Sequence, residues 1–304
     1  MSTPTSHSYS DRARRLARGL RTRVSREAGL AGRVAELEKQ MQVMRREVKA
    51  AKRAAKTAAR GMQGPAIGTG TKVSDPVKIG PTAKVDERIE ALIASVRSQN
   101  LTFLSFAGLR TLSGCITDLE QSEIPGLVIE CGTARGGSAI VMAASKSADR
   151  GMMVFDVFGM IPPPTSRDGA DIHRRYETIK SGAATGVGGE TYYGYREELL
   201  GEVTASFAEH GVAAEVNNVA LVPGLFQDTI KLDEPVALAH LDGDWYESTM
   251  VCLQRLAPLL SPGGRLVIDD YDSWSGCKTA VDEYFADRDG FRFERRGKLH
   301  IVRV

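Results

Sequence analysis

Five aspartates stand at the ends of two apolar runs. LDGDWYES (241–248) supplies Asp242 and Asp244, and VIDDYDSW (267–274) supplies Asp269, Asp270 and Asp272. Carboxylates crowded at neighbouring strand ends repel one another unless something cationic sits among them. Oxygen donors of this kind suit a hard divalent ion such as Mg²⁺. An ion held there could bind the oxygens of an acceptor, lower the pKa of its hydroxyl and leave an adjacent carboxylate to take the proton. Asp242, Asp269 and Asp270 are the expected metal ligands, and Asp244, with Asp242 beside it, is the candidate base. Asp244 has a second reading as N-cap of the helix expected from about Tyr246.

A turn upstream names the second reactant. IECGTARGGS (129–138) sets Glu130, Gly132, Thr133 and Gly136 ahead of Ser138, which opens a helix. A dinucleotide turn would read G-x-G-x-x-G and lay a pyrophosphate against the helix N-terminus. Here an acid stands at the base of the loop, where it would repel a pyrophosphate and attract the ammonium group of a methionine moiety. Asp156, ending the next apolar run, suits ribose hydroxyls. Together these residues favour S-adenosylmethionine over NAD, and hence methyl transfer to an acceptor oxygen. A glycine-rich strand-to-helix turn made only for steric reasons is the plainer alternative.

The elements that must hold these residues alternate. A helical stretch over about 86–120 precedes strands at Leu127–Cys131 and Met152–Phe158, with a helix at about Gly137–Lys146 between them. A helix over 195–210, a strand near 216–222 and a strand at Val236–Asp242 follow. Next come a helix over 247–260, a strand at Arg265–Asp270, a helix over 278–288 and a terminal hairpin turning at Gly297. This order predicts an α/β fold with a doubly wound, mostly parallel sheet and an antiparallel C-terminal strand. Ligands in such sheets bind beyond the carboxyl ends of the strands, where every acid named above falls. With the last two parallel strands adjacent, Asp242 and the Asp269–Asp270 pair converge on one rim.

The chain carries a net charge of +2, but residues 1–60 hold 16 Lys and Arg against 5 Asp and Glu, a net +11. The remainder is therefore acidic. Within the arm, Leu30, Val34, Leu37, Met41, Met44, Val48, Ala51 and Ala55 repeat at alternating spacings of four and three, a heptad seam. The arm reads as a basic coiled-coil helix joining copies of the chain. A solvated, partly frayed basic helix is the plainer alternative, because the seam ends in alanines; docking to an anionic membrane surface is a third reading, and the lack of interleaved aromatics weakens the nucleic-acid version of it. Residues 61–85, rich in Gly and Pro, read as a flexible linker before a catalytic domain over 86–304. Four unpaired cysteines, no secretory signal and no spanning apolar run suggest a cytoplasmic protein.

Taken in order, IECGTARGGS, FDVFGMIPPP, GLFQDTI, HLDGDWYEST and VIDDY resemble the macrocin O-methyltransferase family over about Asp86 to Ser275. The resemblance implies a class I methyltransferase (Rossmann-like) fold using S-adenosylmethionine and Mg²⁺ to methylate sugar hydroxyls. It implies metal binding by Asp242, Asp269 and Asp270, a base at Asp242 or Asp244, and cofactor binding by Glu130 and Asp156. Leu225 stands where the family has tryptophan, and the insertion 167–195 and the basic arm depart from the macrolide pattern. The sugar-containing acceptor is expected, its identity is not. The rival readings are a Mg²⁺-dependent methyltransferase for catechols or other phenols, and a non-catalytic oligomeric scaffold of the same fold. Tyr192, Tyr193 and Tyr195 could close over a sugar or merely pack the insertion, while Trp245 and Trp274 are expected to wall the site. His240 reads as a satisfied buried histidine, His300 in the last strand as structural, and His173 as a candidate base or substrate contact. Lys146 and Lys278 read as solvated.

Overall fold

Runs of Val, Ile, Leu and Ala become the inner strands of one eight-stranded sheet. The computed structural model describes residue 73, residues 75–80 and residues 85–304, all within one compact unit. The arm with its heptad seam lies outside the described residues. In chain order the elements are β1 (Val77–Lys78), α1 (Glu87–Ser98), α2 (Phe106–Gln121), β2 (Leu127–Cys131), α3 (Gly137–Ser145) and β3 (Met152–Asp156). There follow α4 (Ala170–Lys180), α5 (Leu199–Glu209), β4 (Val219–Pro223), α6 (Phe226–Thr229), β5 (Val236–Leu241) and α7 (Tyr246–Leu256). β6 (Leu260–Ile268), α8 (Ser275–Tyr284), β7 (Phe291–Arg296) and β8 (Lys298–Arg303) complete the chain.

The strand order is β1-β7-β8-β6-β5-β2-β3-β4, and β8 alone runs antiparallel to its neighbours. This is the doubly wound sheet that the alternation predicts. Both faces are covered, so the central strand VALAHL is buried at every position and shows no polar alternation. On one face Ile93 of α1, Leu109 and Leu112 of α2, Ile140 of α3 and Phe207 of α5 pack against Val128 and Leu238. On the other, Leu253 of α7 and Val281 of α8 pack against Ile129 and Ile268.

Several boundaries depart from expectation for local reasons. The long helix foreseen over 86–120 is two helices. Asn100 turns the chain with φ of 55°, a left-handed conformation that Asn tolerates, and the Ser105 hydroxyl then accepts from Gly108 N–H to cap α2. The linker is not wholly irregular, because Val77 and Lys78 pair in parallel with Glu294 and Arg295 as an edge strand. α5 begins at Leu199 and not at Tyr195, since Tyr193–Tyr195 forms a short 3-10 turn packed with its own rings. Lys146 is buried and not solvated: its Nζ donates to the Asn217 carbonyl at 2.6 Å, and burial lowers its pKa. Lys278 stays at the surface, paired with Asp282. All four cysteines are free and buried.

Candidate active site

The chain leaves β2 toward β3 and β4, then returns to lay β5 on the opposite side of β2. The loops that follow β2 and β5 therefore part at the switch point of the sheet, where ligands gather. Gly132 and Asp242 meet there. Gly132 has φ of 86°, and a β-carbon on it would lie 2.0 Å from the Asp242 carbonyl oxygen, so only glycine fits. The ladder runs on past the strands: Asp242 N–H donates to Cys131 C=O and Asp269 N–H to Leu241 C=O, each at 2.9 Å. These bonds fix where the acids emerge.

Asp242, Asp244 and Asp270 each offer a carboxylate oxygen within 4.8 Å of the others. Asp244 takes φ of 56°, which turns it back so that its N–H donates to Asp270 Oδ2 at 3.2 Å. Burial, then the negative charge of Asp270 and Asp269, pushes Asp242 well above the usual carboxylate range. Burial and Asp270 do the same to Asp244, and burial with Asp269 raises Asp270 to about 6. A ring of acids that resists ionising is a ring that a cation would relieve.

Asp269, expected among the metal ligands, is outside this ring. Its Oδ2 accepts from Lys298 Nζ at 2.8 Å, and its Oδ1 lies 3.6 Å from His240 Nε2. Although burial opposes its charge, these two cations hold its pKa low. Among the described residues the carboxylates that stand together are therefore Asp242, Asp244 and Asp270, while Asp269, on the wall of the same cavity, already has its counter-charges.

Asp244 does not cap α7 either. The N-cap position is Trp245, whose side chain makes no capping bond, and the Tyr246 N–H is taken by Asp168 Oδ1 at 2.8 Å. Asp168 comes from the insertion, is nearly buried, and also accepts from Thr165 N–H at 2.9 Å. It pins the loop over 157–169 to the helix that follows the acids, a role no short motif announces.

Two cavities meet at the acids. One, of about 470 Å³, is lined by Gly132, Asp156, Leu225, Phe226, Gln227 and Trp245, and the other, of about 280 Å³, by Arg175, Tyr192, Asp270, Ser273 and Trp274. Gly132, Asp156, Asp242, Asp244, Tyr193 and Trp245 line both. Trp245 and Trp274 pack edge to face at 6.0 Å and wall the site as expected. Tyr193 stands at the junction, while Tyr192 is buried against it. His173 is exposed and lines neither cavity.

Of the cofactor residues expected from sequence, Gly132 and Asp156 face a cavity. Asp156 Oδ2 accepts from Thr133 N–H at 2.7 Å and Oδ1 from Phe158 N–H at 2.7 Å, so it also braces the glycine turn. Burial outweighs these bonds and raises its pKa. Thr133, Gly136 and Ser138 shape the turn and the start of α3 without lining either cavity. Glu130 stands apart from both cavities. It is wholly buried and lines neither cavity, and its Oε1 lies 2.9 Å from His240 Nδ1. Burial opposes a charge on His240, but Asp269 and Glu130 together raise its pKa to about 9. Arg175 and Asp168 are the site residues that the sequence reading missed, because both sit in the insertion, far in sequence from the acids they face.

Comparison with known proteins bears on this geometry. A family model described as Macrocin-O-methyltransferase (TylF) matches residues 38–290. The demethyldecarbamoylnovobiocin O-methyltransferase of Streptomyces niveus is 31% identical over 211 residues, covering 64% of this chain and 75% of that protein. An 8-demethyl-8-(2,3-dimethoxy-alpha-L-rhamnosyl)-tetracenomycin-C 4'-O-methyltransferase of Streptomyces olivaceus is 33% identical over 189 residues, covering 60% and 67%. The solved structure of the O-methyltransferase NovP superposes with a TM-score of 0.58 at 27% identity, covering 71% of this chain and 96% of that one.

Proposed function

The chain belongs to the macrocin O-methyltransferase family, and from that premise we propose that it moves the methyl group of S-adenosylmethionine to a sugar hydroxyl with the help of Mg²⁺. The observation that carries this reading is the shared wall: Gly132, Asp242 and Asp244 line both the cavity beside the glycine turn and the cavity ringed by acids. The larger cavity suits the cofactor, with Asp156 and the turn it braces near the ribose. The smaller one suits a sugar, whose apolar face could stack on Trp245 or Trp274.

The donors fit Mg²⁺, being oxygen only, half-buried or buried, and raised in pKa by burial and by one another's charge. Asp242 and Asp270 would hold it, since this ion commonly takes one or two carboxylates and completes its shell with water or substrate. When bound, it supplies Lewis acidity toward the acceptor's oxygens. Asp244, on the same rim, is placed to accept the hydroxyl proton while the methyl group passes in line to the oxygen. Tyr193 and the two tryptophans exclude water from the junction of the cavities. An O-methyltransferase family leaves no place for the non-catalytic scaffold, and the sugar-directed names of the relatives support a sugar over a phenol.

Chelation tests the reading. EDTA should abolish methyl transfer to a glycosylated acceptor, and Mg²⁺ or Mn²⁺ should restore it, while calorimetric binding of S-adenosylmethionine survives. Full activity in EDTA would refute the metal.

For the basic arm we propose self-association through the heptad seam, in a cytoplasmic setting that the free cysteines support. No helix among the described residues is long and apolar enough to cross a membrane. Light scattering on the full chain and on residues 61–304 should give different masses. Equal masses combined with vesicle binding by the full chain alone would make the arm a peripheral membrane contact.

A further inference from the structure

Asp269 lines not only the acid-ringed cavity but also a further one of about 650 Å³, and among the described residues it is the one that the two linings share. The character of this further cavity is opposite. Arg110 from α2, together with Arg296 and Lys298 flanking the terminal hairpin turn, brings three cations against the single carboxylate of Asp269. The counter-ions of the two arginines, Glu90 for Arg110 and Glu294 with the more distant Asp118 for Arg296, stand outside the lining. Leu104, Leu112 and Val267 add apolar wall.

Deeper in, His300 is wholly buried and lines the same cavity. Its Nδ1 lies 3.8 Å from Cys115 Sγ, and its Nε2 has no hydrogen-bond partner among the described residues. A buried ring nitrogen without a partner carries a desolvation cost that a bound acceptor oxygen would remove. Three cations on mixed stems, one unsatisfied ring nitrogen and an apolar wall describe a site for an anion with many oxygens on an organic body. A lone carboxylate would leave most of these groups unmet, whereas a diphosphate could take the point charge of Lys298 together with the arginine N–H groups that Glu90 and Glu294 leave over.

We propose that this cavity is a second acceptor subsite, binding a diphosphate esterified to the sugar whose hydroxyl lies at the acid ring. The inference rests on the sugar-acceptor reading, and Asp269 marks where the two subsites join. Lys298 neutralises that carboxylate, so a phosphoryl group passing it meets little repulsion. The diphosphate could come from a nucleotide-linked or a polyprenyl-linked sugar, both of which present the same head group.

The test is calorimetric titration of the full chain with inorganic pyrophosphate, in metal-free buffer and saturating S-adenosylmethionine. These conditions remove binding through Mg²⁺ at the acids and binding in the cofactor cavity. Saturable binding is expected, weakened at least tenfold in Arg296→Gln and in the half-exposed Arg110→Gln, with S-adenosylmethionine affinity unchanged in both. Absence of saturable binding, or equal affinity in the wild type and both variants, overturns the proposal. Uridine diphosphate and farnesyl diphosphate then separate the sources. Tighter binding of the first than of pyrophosphate assigns a nucleotide, and of the second a lipid; no gain from either removes the ester and overturns the subsite. None of these readings depends on methyl transfer, so loss of the metal hypothesis would leave them intact.

Discussion

The carbonyl oxygen of Asp242 occupies the space that a side chain on Gly132 would need, 2.0 Å from the position of its β-carbon. This contact ties the cofactor turn to the acid ring, so a change on one side must move the other. Gly132→Ala combines that clash with a φ of 86° and should cost more than the roughly 1–3 kcal/mol of backbone strain alone. Thermal unfolding should show a clear drop, and calorimetry should show weakened binding of both S-adenosylmethionine and Mg²⁺. Loss of only one ligand would mean that the two loops move independently.

Asp270 and Asp269 are neighbours in sequence with different partners. Asp270→Asn should weaken Mg²⁺ binding by about tenfold or more, an effect of about 1.4 kcal/mol. Asp269→Asn should leave Mg²⁺ affinity nearly unchanged and lower stability, since Lys298 and His240 would lose their counter-charge. Titration of metal into each variant decides between this assignment and one in which Asp269 is a ligand.

Asp244→Asn should retain metal and cofactor while the rate falls roughly 10²–10⁴-fold, the usual worth of a general base. Single-turnover methyl transfer at several pH values is the measurement, with partial recovery expected at higher pH. Near-normal turnover would return Asp244 to a purely structural role.

Asp168 caps α7 from outside that helix. Asp168→Ala should cost about 1–2 kcal/mol of stability, in the range of a lost helix cap. Because the same carboxylate holds the loop over 157–169, acceptor KM should rise more than S-adenosylmethionine affinity falls. Asp168→Asn keeps one acceptor oxygen but sets an NH2 against the other N–H donor, so it should recover at most one of the two losses.

His300 predicts an acid limb in stability. Burial, then Arg265 and Arg296, with His240 and Arg295 beyond them, hold its pKa at about 3, against roughly 6.5 for a free histidine. The unfolded chain therefore binds a proton that the folded chain refuses between those values. This contribution is complete above about pH 6.5 and lost as pH falls toward 3. Urea unfolding at pH 7 and pH 5 should show a smaller difference in His300→Gln than in the wild type. An equal difference would assign the acid sensitivity to other groups.

The sequence by itself determined the sheet and most of the candidate site. Apolar runs such as LVIEC and VALAHL have one stable fate, burial between two helical layers, and the helices between them force parallel strands. Strand ends then carry Gly132, Asp156, Asp242 and the Asp269–Asp270 pair to one rim, because position along a strand is set by local pattern alone. Which of those acids face one another is not local. Asp269 and Asp270 are adjacent in sequence, yet Lys298 and His240, from two other strands, draw Asp269 away while the left-handed turn at Asp244 brings that residue in. Glu130 was legible as an acid at the base of a glycine turn, but its pairing with His240 depended on the lateral register of β2 against β5. Asp168 and Arg175 come from the insertion, just before and within α4, and nothing local in that stretch says where the helix docks, so only the packed chain could place them. Pattern fixes which elements form, because it acts over a few residues; the tertiary structure alone fixes which charges meet, because Coulomb and hydrogen-bond partners are chosen by proximity in space.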